Sequence, residues 1–200
     1  MDLSDLDFET SIDEAISAAS FLKNPESILF IKEAASRIAT CFEQKGKLLI
    51  AGNGGSLCDA MHFAEEFTGQ FRARRTPLPA IALSDPAHMS CTANDMGFSE
   101  VFRRLVEAYG KENDLLIVLS TSGLSKNLIL AHEQAKKMGL STIAFLGKTG
   151  GALKSQADLE WIVTGFRYSD RIQEVHMAAA HIIIEMVEKM LFVKEYLTIS

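Results

Sequence analysis

Apolar positions along the chain follow two periods, one of about 3.6 residues and one of short unbroken runs. From about Ser4 to Leu22, the residues Ile12, Ala15, Ile16, Ala19 and Leu22 fall on one helical stripe. Asn24-Pro25 interrupts it, because the proline ring fixes φ and biases the preceding residue away from helix. A second stripe, Ile28, Ile31, Ala35, Ile38 and Phe42, runs on to Lys45-Gly46. The pattern predicts a helical hairpin over residues 1–46 that packs on the core or on a neighbouring subunit. Beyond it come apolar runs at Lys47–Ala51, Pro79–Leu83, Asp114–Leu119, Ser141–Leu146 and Leu159–Val163. Unbroken runs of this length suit strands buried on both faces.

Between the runs lie helical patterns. One starts at Ser56, where Asp59 three residues later fits a capping box. A short helix follows Ser84-Asp85-Pro86 and breaks at Asn94–Gly97, and helix resumes from Phe98 to Tyr109. Others are expected from Lys126 to Met138, briefly before Asp158, and from Asp170 to Phe192. Strands alternating with helices through short turns imply an α/β three-layer sandwich with a five-stranded, mainly parallel sheet. Two hundred residues fit a single domain with a proper core.

Composition narrows the class. Apolar content of 48% and charged content of 23% are those of a globular chain. A net charge of −6 disfavours a general nucleic-acid binder, though not a small anion held locally. No apolar run reaches membrane-spanning length, and the start, MDLSDLDFET, has no apolar secretion signal. Cys41, Cys58 and Cys91 are odd in number and widely spaced, without a C-x-x-C pair, and read as reduced core thiols in a cytoplasmic protein.

The richest stretch is KLLIAGNGGSLCDAMHFAEE, Lys47 to Glu66. Gly52, Gly54 and Gly55 let the backbone turn sharply and approach a ligand, and His62 and Glu66, four apart, share one helical face. The same features serve a plain tight βα turn with a surface ion pair, since Gly-Asn-Gly-Gly is not the dinucleotide fingerprint. A second loop, Ser120-Thr121-Ser122-Gly123-Leu124-Ser125, follows a strand and opens a helix. Backbone N–H groups, helix dipole and hydroxyls converge there, and four hydroxyls in six residues exceed what capping requires, which favours phosphate. The last helix carries Gln173, His176 and His181; His176 lies about 140° round the wheel from His181, so one of the histidines points elsewhere. Arg72, Arg74 and Arg75 read as a solvated loop, and Asn94 and Asp95 as turn residues.

Together these segments resemble the sugar-isomerase (SIS) fold family and, within it, the sedoheptulose-7-phosphate isomerases. The residues that carry the resemblance are AGNGGSLCDAMHFAEEFTG, AND at 93–95, STSGLS at 120–125 and DRIQEVHMAAAH at 170–181. The resemblance implies a flavodoxin-like SIS domain, a homotetramer with active sites between subunits, and the isomerisation that opens bacterial ADP-heptose and lipopolysaccharide-core synthesis. The substrate would be a phosphorylated seven-carbon sugar, with no nucleic acid or membrane partner. Asn53, Gly54, Gly55, Asn94 and Asp95 would line the sugar site, and Ser120, Thr121, Ser122 and Ser125 would hold the phosphate. Glu66 and His181 would be the acid/base pair, and His62, Glu66, Gln173 and His181 a divalent metal site, usually zinc.

Leu124, Gln70 and Leu57 depart from residues common in the family. Such isomerisation needs a base for a carbon-bound proton and an acid for the carbonyl oxygen. The competing class is a non-catalytic SIS adaptor resembling the protein that associates with the bacterial replication initiator. Those relatives lack the carboxylate after the His-Phe-Ala segment and the last-helix histidine, whereas Glu66 and His181 stand here.

Overall fold

In the structure, a computed structural model that describes residues 7–197, two helices precede the first strand. They are α1, Phe8–Ser20, and α2, Pro25–Glu43, joined by a single 3-10 turn at Phe21–Lys23. The expected helix start at Ser4 lies outside the described residues. Asp7 caps α1 by accepting from Thr10 N, and Pro25 opens α2, where its missing N–H costs nothing. On α1 the expected stripe does not face its own chain. Ile12 and Ile16 are 58% and 59% exposed, and Ala18 is the helix's one buried residue. On α2 the stripe is buried except at Ile28, which stands outside the core.

Five strands follow: β1 Leu48–Gly52, β2 Ala80–Ala82, β3 Leu115–Ser120, β4 Ser141–Gly147 and β5 Leu159–Val163. All pair in parallel in the order β2-β1-β3-β4-β5. The helices between them are α3 Gly55–Thr68, α4 Pro86–Met96, α5 Val101–Tyr109 and α6 Lys126–Lys137; α7 Ser169–Leu191 and the short α8 Val193–Leu197 end the described chain. Asn94 and Asp95 sit in the last turn of α4 rather than breaking it. The break falls at Gly97, whose φ of +94° is open to glycine. The short helix expected before Asp158 is one 3-10 turn, Gly151–Leu153.

Both faces of the sheet are covered, as unbroken apolar strands require. Alternate strand residues supply two cores. Leu48, Ile50, Ile117, Phe145 and Trp161 pack with α2, α3 and α7 on one side, and Leu49, Ala51, Val118 and Leu146 pack with α5 and α6 on the other. At the amino edge of the sheet, Asp114 accepts from Lys47 N and Lys111 N and pairs with the Lys47 ammonium. Cys41 lies beside it, its thiol pushed up to about 12 by burial and then by the Asp114 carboxylate, which leaves an inert sulfhydryl. Cys58 and Cys91 are exposed, so only one of the three cysteines belongs to the core.

The arginine loop is not solvated throughout. The side chains of Arg75 and Glu188 form an ion pair at 2.8 Å with no exposed surface on either partner. Glu188 lies on α7, and the loop between α3 and β2 is thereby strapped across both helices.

His176, in the middle of α7, is wholly buried, and its Nε2 donates to Leu146 O at 2.9 Å among the rings of Phe145 and Trp161. Burial drives its pKa from 6.5 down to about 4. Above about pH 6.5 neither state carries the proton; between there and pH 4 only the unfolded chain does. Stability therefore falls as pH drops through that window, by on the order of 3 kcal/mol from this group. Denaturant unfolding at pH 7 and pH 4.5 is expected to show a smaller acid loss in His176→Leu than in the parent chain. Equal losses would assign the effect to other groups.

Candidate active site

Strands β1 and β3 are neighbours, while β2 lies on the far side of β1, so the chain order reverses at this pair. In open parallel sheets, ligands bind beyond the carboxyl ends of the strands at that switch point. Both loops singled out in the sequence leave from it, because Gly52 is in register with Leu119. The two side-chain amides of Asn53 and Asn127 bond reciprocally at 2.9 and 3.0 Å and tie the loops together.

Asn53, Ser56, Ser120, Thr121, Ser122, Ser125, Ser169 and Gln173 line a polar cavity of about 240 Å³ at this edge. The N-termini of α3, α6 and α7 border it through Ser56, Ser125 and Ser169. None of the three helices has a side-chain cap, although on α3 the Ser56 and Leu57 N–H groups already donate to Asn53 O and Gly54 O. The expected capping box from Ser56 does not form: Gly54, at φ +55°, is the cap residue. Gly55 has its own reason, because a Cβ there would meet Gln173 Nε2 at 2.7 Å. Among the described residues, no charged one lines the cavity. Three positive helix ends and a ring of hydroxyls make it a receptor for an oxyanion held by dipoles. A larger hollow of about 640 Å³ lies between α2 and β5, but it contains none of the residues the sequence singled out.

Farther down the same two helices stand His62, Glu66 and His181. His62 Nε2 is 3.2 Å from Glu66 Oε1 and 3.4 Å from His181 Nε2. His62 is half-exposed and Glu66 largely covered, the two side chains retaining 43% and 17% exposure. Burial, then the neighbouring His62, holds the His181 imidazole below the ordinary histidine value. The ligand atoms of all three residues lie within 4.8 Å of one another, the described His, Cys, Asp and Glu residues offering one such group. Two imidazole nitrogens and a carboxylate oxygen at that spacing fit a divalent transition metal.

The last helix lies beside α3 on one face of the sheet. Its two histidines separate as the wheel requires, His176 into the core and His181 onto His62. Gln173 is not drawn to the triad; its Nε2 lies 3.3 Å from the Ser56 hydroxyl, in the oxyanion cavity. Asn94 and Asp95 are exposed on α4 and bond to each other, outside that cavity. Leu124 and Gln70 are exposed, so neither departure from the family residue disturbs packing.

Some residues of the neighbourhood went unmarked in the sequence. The ring of Phe71 stacks on His181 at 5.8 Å and 20°. Ser169 accepts from the Thr121 hydroxyl at 3.1 Å. Asp59, marked in the sequence only as a capping partner of Ser56, is half-buried with one carboxyl oxygen unpartnered, and burial raises its pKa to about 6. Its spacing of three and seven residues from His62 and Glu66 was the available signal.

Residues 15–147 match the SIS domain family. The phosphoheptose isomerase of Fusobacterium nucleatum is 52% identical over 88% of this chain and 90% of its own length. That of Vibrio cholerae is 53% identical over 84% and 88%. Among solved structures, a phosphoheptose isomerase from Francisella tularensis superposes with a TM-score of 0.81 at 36% identity, covering 91% of this chain and 94% of that one. One from Neisseria gonorrhoeae gives 0.77 at 35%, covering 91% and 95%.

The Ser125 hydroxyl makes no cap bond, so its removal should leave α6 intact. A hydrogen bond to a charged group contributes about 1.5–3 kcal/mol, so Ser125→Ala is expected to weaken inorganic-phosphate binding by at least about tenfold. Calorimetric titration with phosphate checks this; an unchanged affinity would put the anion elsewhere.

Proposed function

The chain belongs to the SIS domain family and, within it, to the phosphoheptose isomerases, and on that premise we propose that it interconverts sedoheptulose 7-phosphate and D-glycero-D-manno-heptose 7-phosphate through an enediol. The observation that carries the reading is the sharing of one pair of helices by an oxyanion cavity and an acid/base cluster. Ser56 to His62 is six residues, about 9 Å of rise along α3. That separation is of the order an extended open-chain sugar phosphate can bridge, its phosphate among the helix ends and its carbonyl at Glu66 and His181. The cluster also distinguishes this chain from a non-catalytic SIS adaptor, for which it would have no use.

In this mechanism Ser120, Thr121, Ser122 and Ser125 bind the phosphate, while Asn53, Gly54 and Gly55 line the cavity beside the sugar. Anchoring the far end holds the reacting carbons in place, which converts binding into effective concentration. Asn94 and Asp95 belong to the sugar site in this reading, reached from a neighbouring subunit or by an ordered substrate. Glu66 takes the proton from C1 of the ketose, and His181 delivers one to the oxygen on C2. The enediol then collapses with the roles reversed, the proton returning to C2 and the C1 hydroxyl giving up its own. An imidazole held below the usual histidine value by burial suits His181 to proton exchange with oxygen near neutral pH.

We read the metal as zinc, held by His62, Glu66 and His181 with the Gln173 amide as a weak fourth donor once it leaves Ser56. When bound, such an ion would supply Lewis-acid polarisation of the carbonyl and its neighbouring hydroxyl. The exposed apolar side of α1, Phe8, Ile12 and Ile16, together with Leu29 on α2, supports a homotetramer in which these surfaces are covered. No helix among the described residues is long and apolar enough to cross a membrane. We place the enzyme in the cytoplasm, at the first step of heptose supply for lipopolysaccharide.

Glu66→Gln keeps the side chain's shape and removes the basic oxygen. Conversion of sedoheptulose 7-phosphate by this variant is expected to fall by at least about a hundredfold, the scale of a lost general base. Phosphate affinity should hold, because Glu66 stands ten residues, about three turns, beyond Ser56 at the anion cavity. His181→Ala should lose bound metal as well as turnover, by elemental analysis. Near-normal turnover in Glu66→Gln would remove it from the role of base, and undiminished metal in His181→Ala would remove His181 from the ligand set.

A further inference from the structure

We propose that the segment Phe71–Arg75 is a positioning strap, fastened by the buried Arg75–Glu188 pair, that sets Glu66 and His181 against each other; this rests on their reading as the acid/base pair. Arg75 closes the carboxyl end of α3. Its Nη2 donates to Glu66 O and its Nη1 to Phe67 O, both at 2.8 Å, satisfying two carbonyls that have no partner within the helix. The backbone of the base itself is thus held by the guanidinium. Through Nε the same group donates to Glu188 Oε1 at 2.8 Å.

Glu188 stands seven residues beyond His181 on α7, which puts both on one face of that helix. Its second oxygen accepts from Arg72 N and Ala73 N, each at 3.2 Å. The strap's backbone is therefore pinned where Phe71 reaches His181. That imidazole is held between two rings, Phe71 stacked on it and His62 edge-on at 5.0 Å and 70°. Arg72 adds a further tie, its Nη1 lying 2.8 Å from Glu185 on α7.

For stability alone a buried ion pair is a poor choice, since apolar residues of similar volume often serve as well or better. What apolar residues lack is direction. A guanidinium has a fixed fork of donors, and here the fork joins the helix carrying Glu66 to the helix carrying His181. Arg75, Glu188 and Phe71 do not touch the reacting atoms in this account; they act through the two residues that do.

The test compares the parent protein with Phe71→Leu, Phe71→Tyr and the double variant Arg75→Met with Glu188→Met. The double change avoids leaving one charge buried alone. Phe71 is only half-buried, so Phe71→Leu decides the matter should the double variant not fold. Displacing a reacting group by about 1 Å costs up to about a hundredfold in rate. Phe71→Leu and the folded double variant are expected to lose at least about tenfold in kcat, with KM and inorganic-phosphate affinity unchanged. Phe71→Tyr should restore parental kcat.

Parental kcat in Phe71→Leu, or a rise in KM with a loss of phosphate affinity in step with the loss of kcat, would overturn the proposal. If the parent protein itself fails to isomerise the sugar, the isomerase reading falls. Zinc titration of parent and Phe71→Leu then still tests the strap, which predicts weaker binding in the variant and is contradicted by equal binding.

Discussion

Everything functional in this chain depends on the contact between α3 and α7. Each follows a parallel strand and returns along the same face of the sheet, so the two helices run side by side in the same direction. Small residues allow the close approach, with Ala60 and Ala64 on α3 and Ala179 and Ala180 on α7 buried in one core. Parallel neighbours bring like-charged dipole ends together, which is unfavourable in an empty protein. With the α6 terminus added, that cost becomes the attraction for an anion. Lower down, the same alignment carries His62 and Glu66 onto His181.

The sheet order fixes where the helices begin. Because β1 and β3 are neighbours and the chain leaves them toward opposite faces, the loops after them open into a crevice rather than closing over each other. The Asn53–Asn127 amide pair then sets the distance between the loops. At the other end of α3, the strap holds the helix to α7 by a pair with no exposed surface. The His62, Glu66 and His181 cluster hangs between these two attachments, one polar and wet, the other ionic and dry.

Much of this was legible in the residues. Five apolar runs alternating with helical stripes indicated a covered parallel sheet, and the two loops stood out by residue type and spacing, whereas the choice of His181 over His176 came only from the family resemblance. Strand order did not follow from any local pattern, and with it the adjacency of the loops stayed open until the pairing was seen. Arg75 was misread because an arginine in a Gly- and Pro-flanked loop is usually solvated. Its acceptor, Glu188, lies 113 residues away on another element, beyond any periodicity. The stripe of Ile12 and Ile16 was correctly seen as apolar, but periodicity does not say which surface, or whose, will cover it. Ser56 and Asp59 matched a capping box, yet the left-handed Gly54 took the cap position and left the carboxylate half-buried.

In the proposed reaction this pocket moves a proton between adjacent carbons by way of side-chain groups open to exchange with water. Isomerisation of sedoheptulose 7-phosphate in D₂O, followed by NMR of the aldose product, addresses it directly. Proton abstraction by a carboxylate and return through an enediol predict deuterium at C2 of the aldose. Rapid turnover with only protium at that carbon would indicate direct transfer between the carbons and would contradict the account.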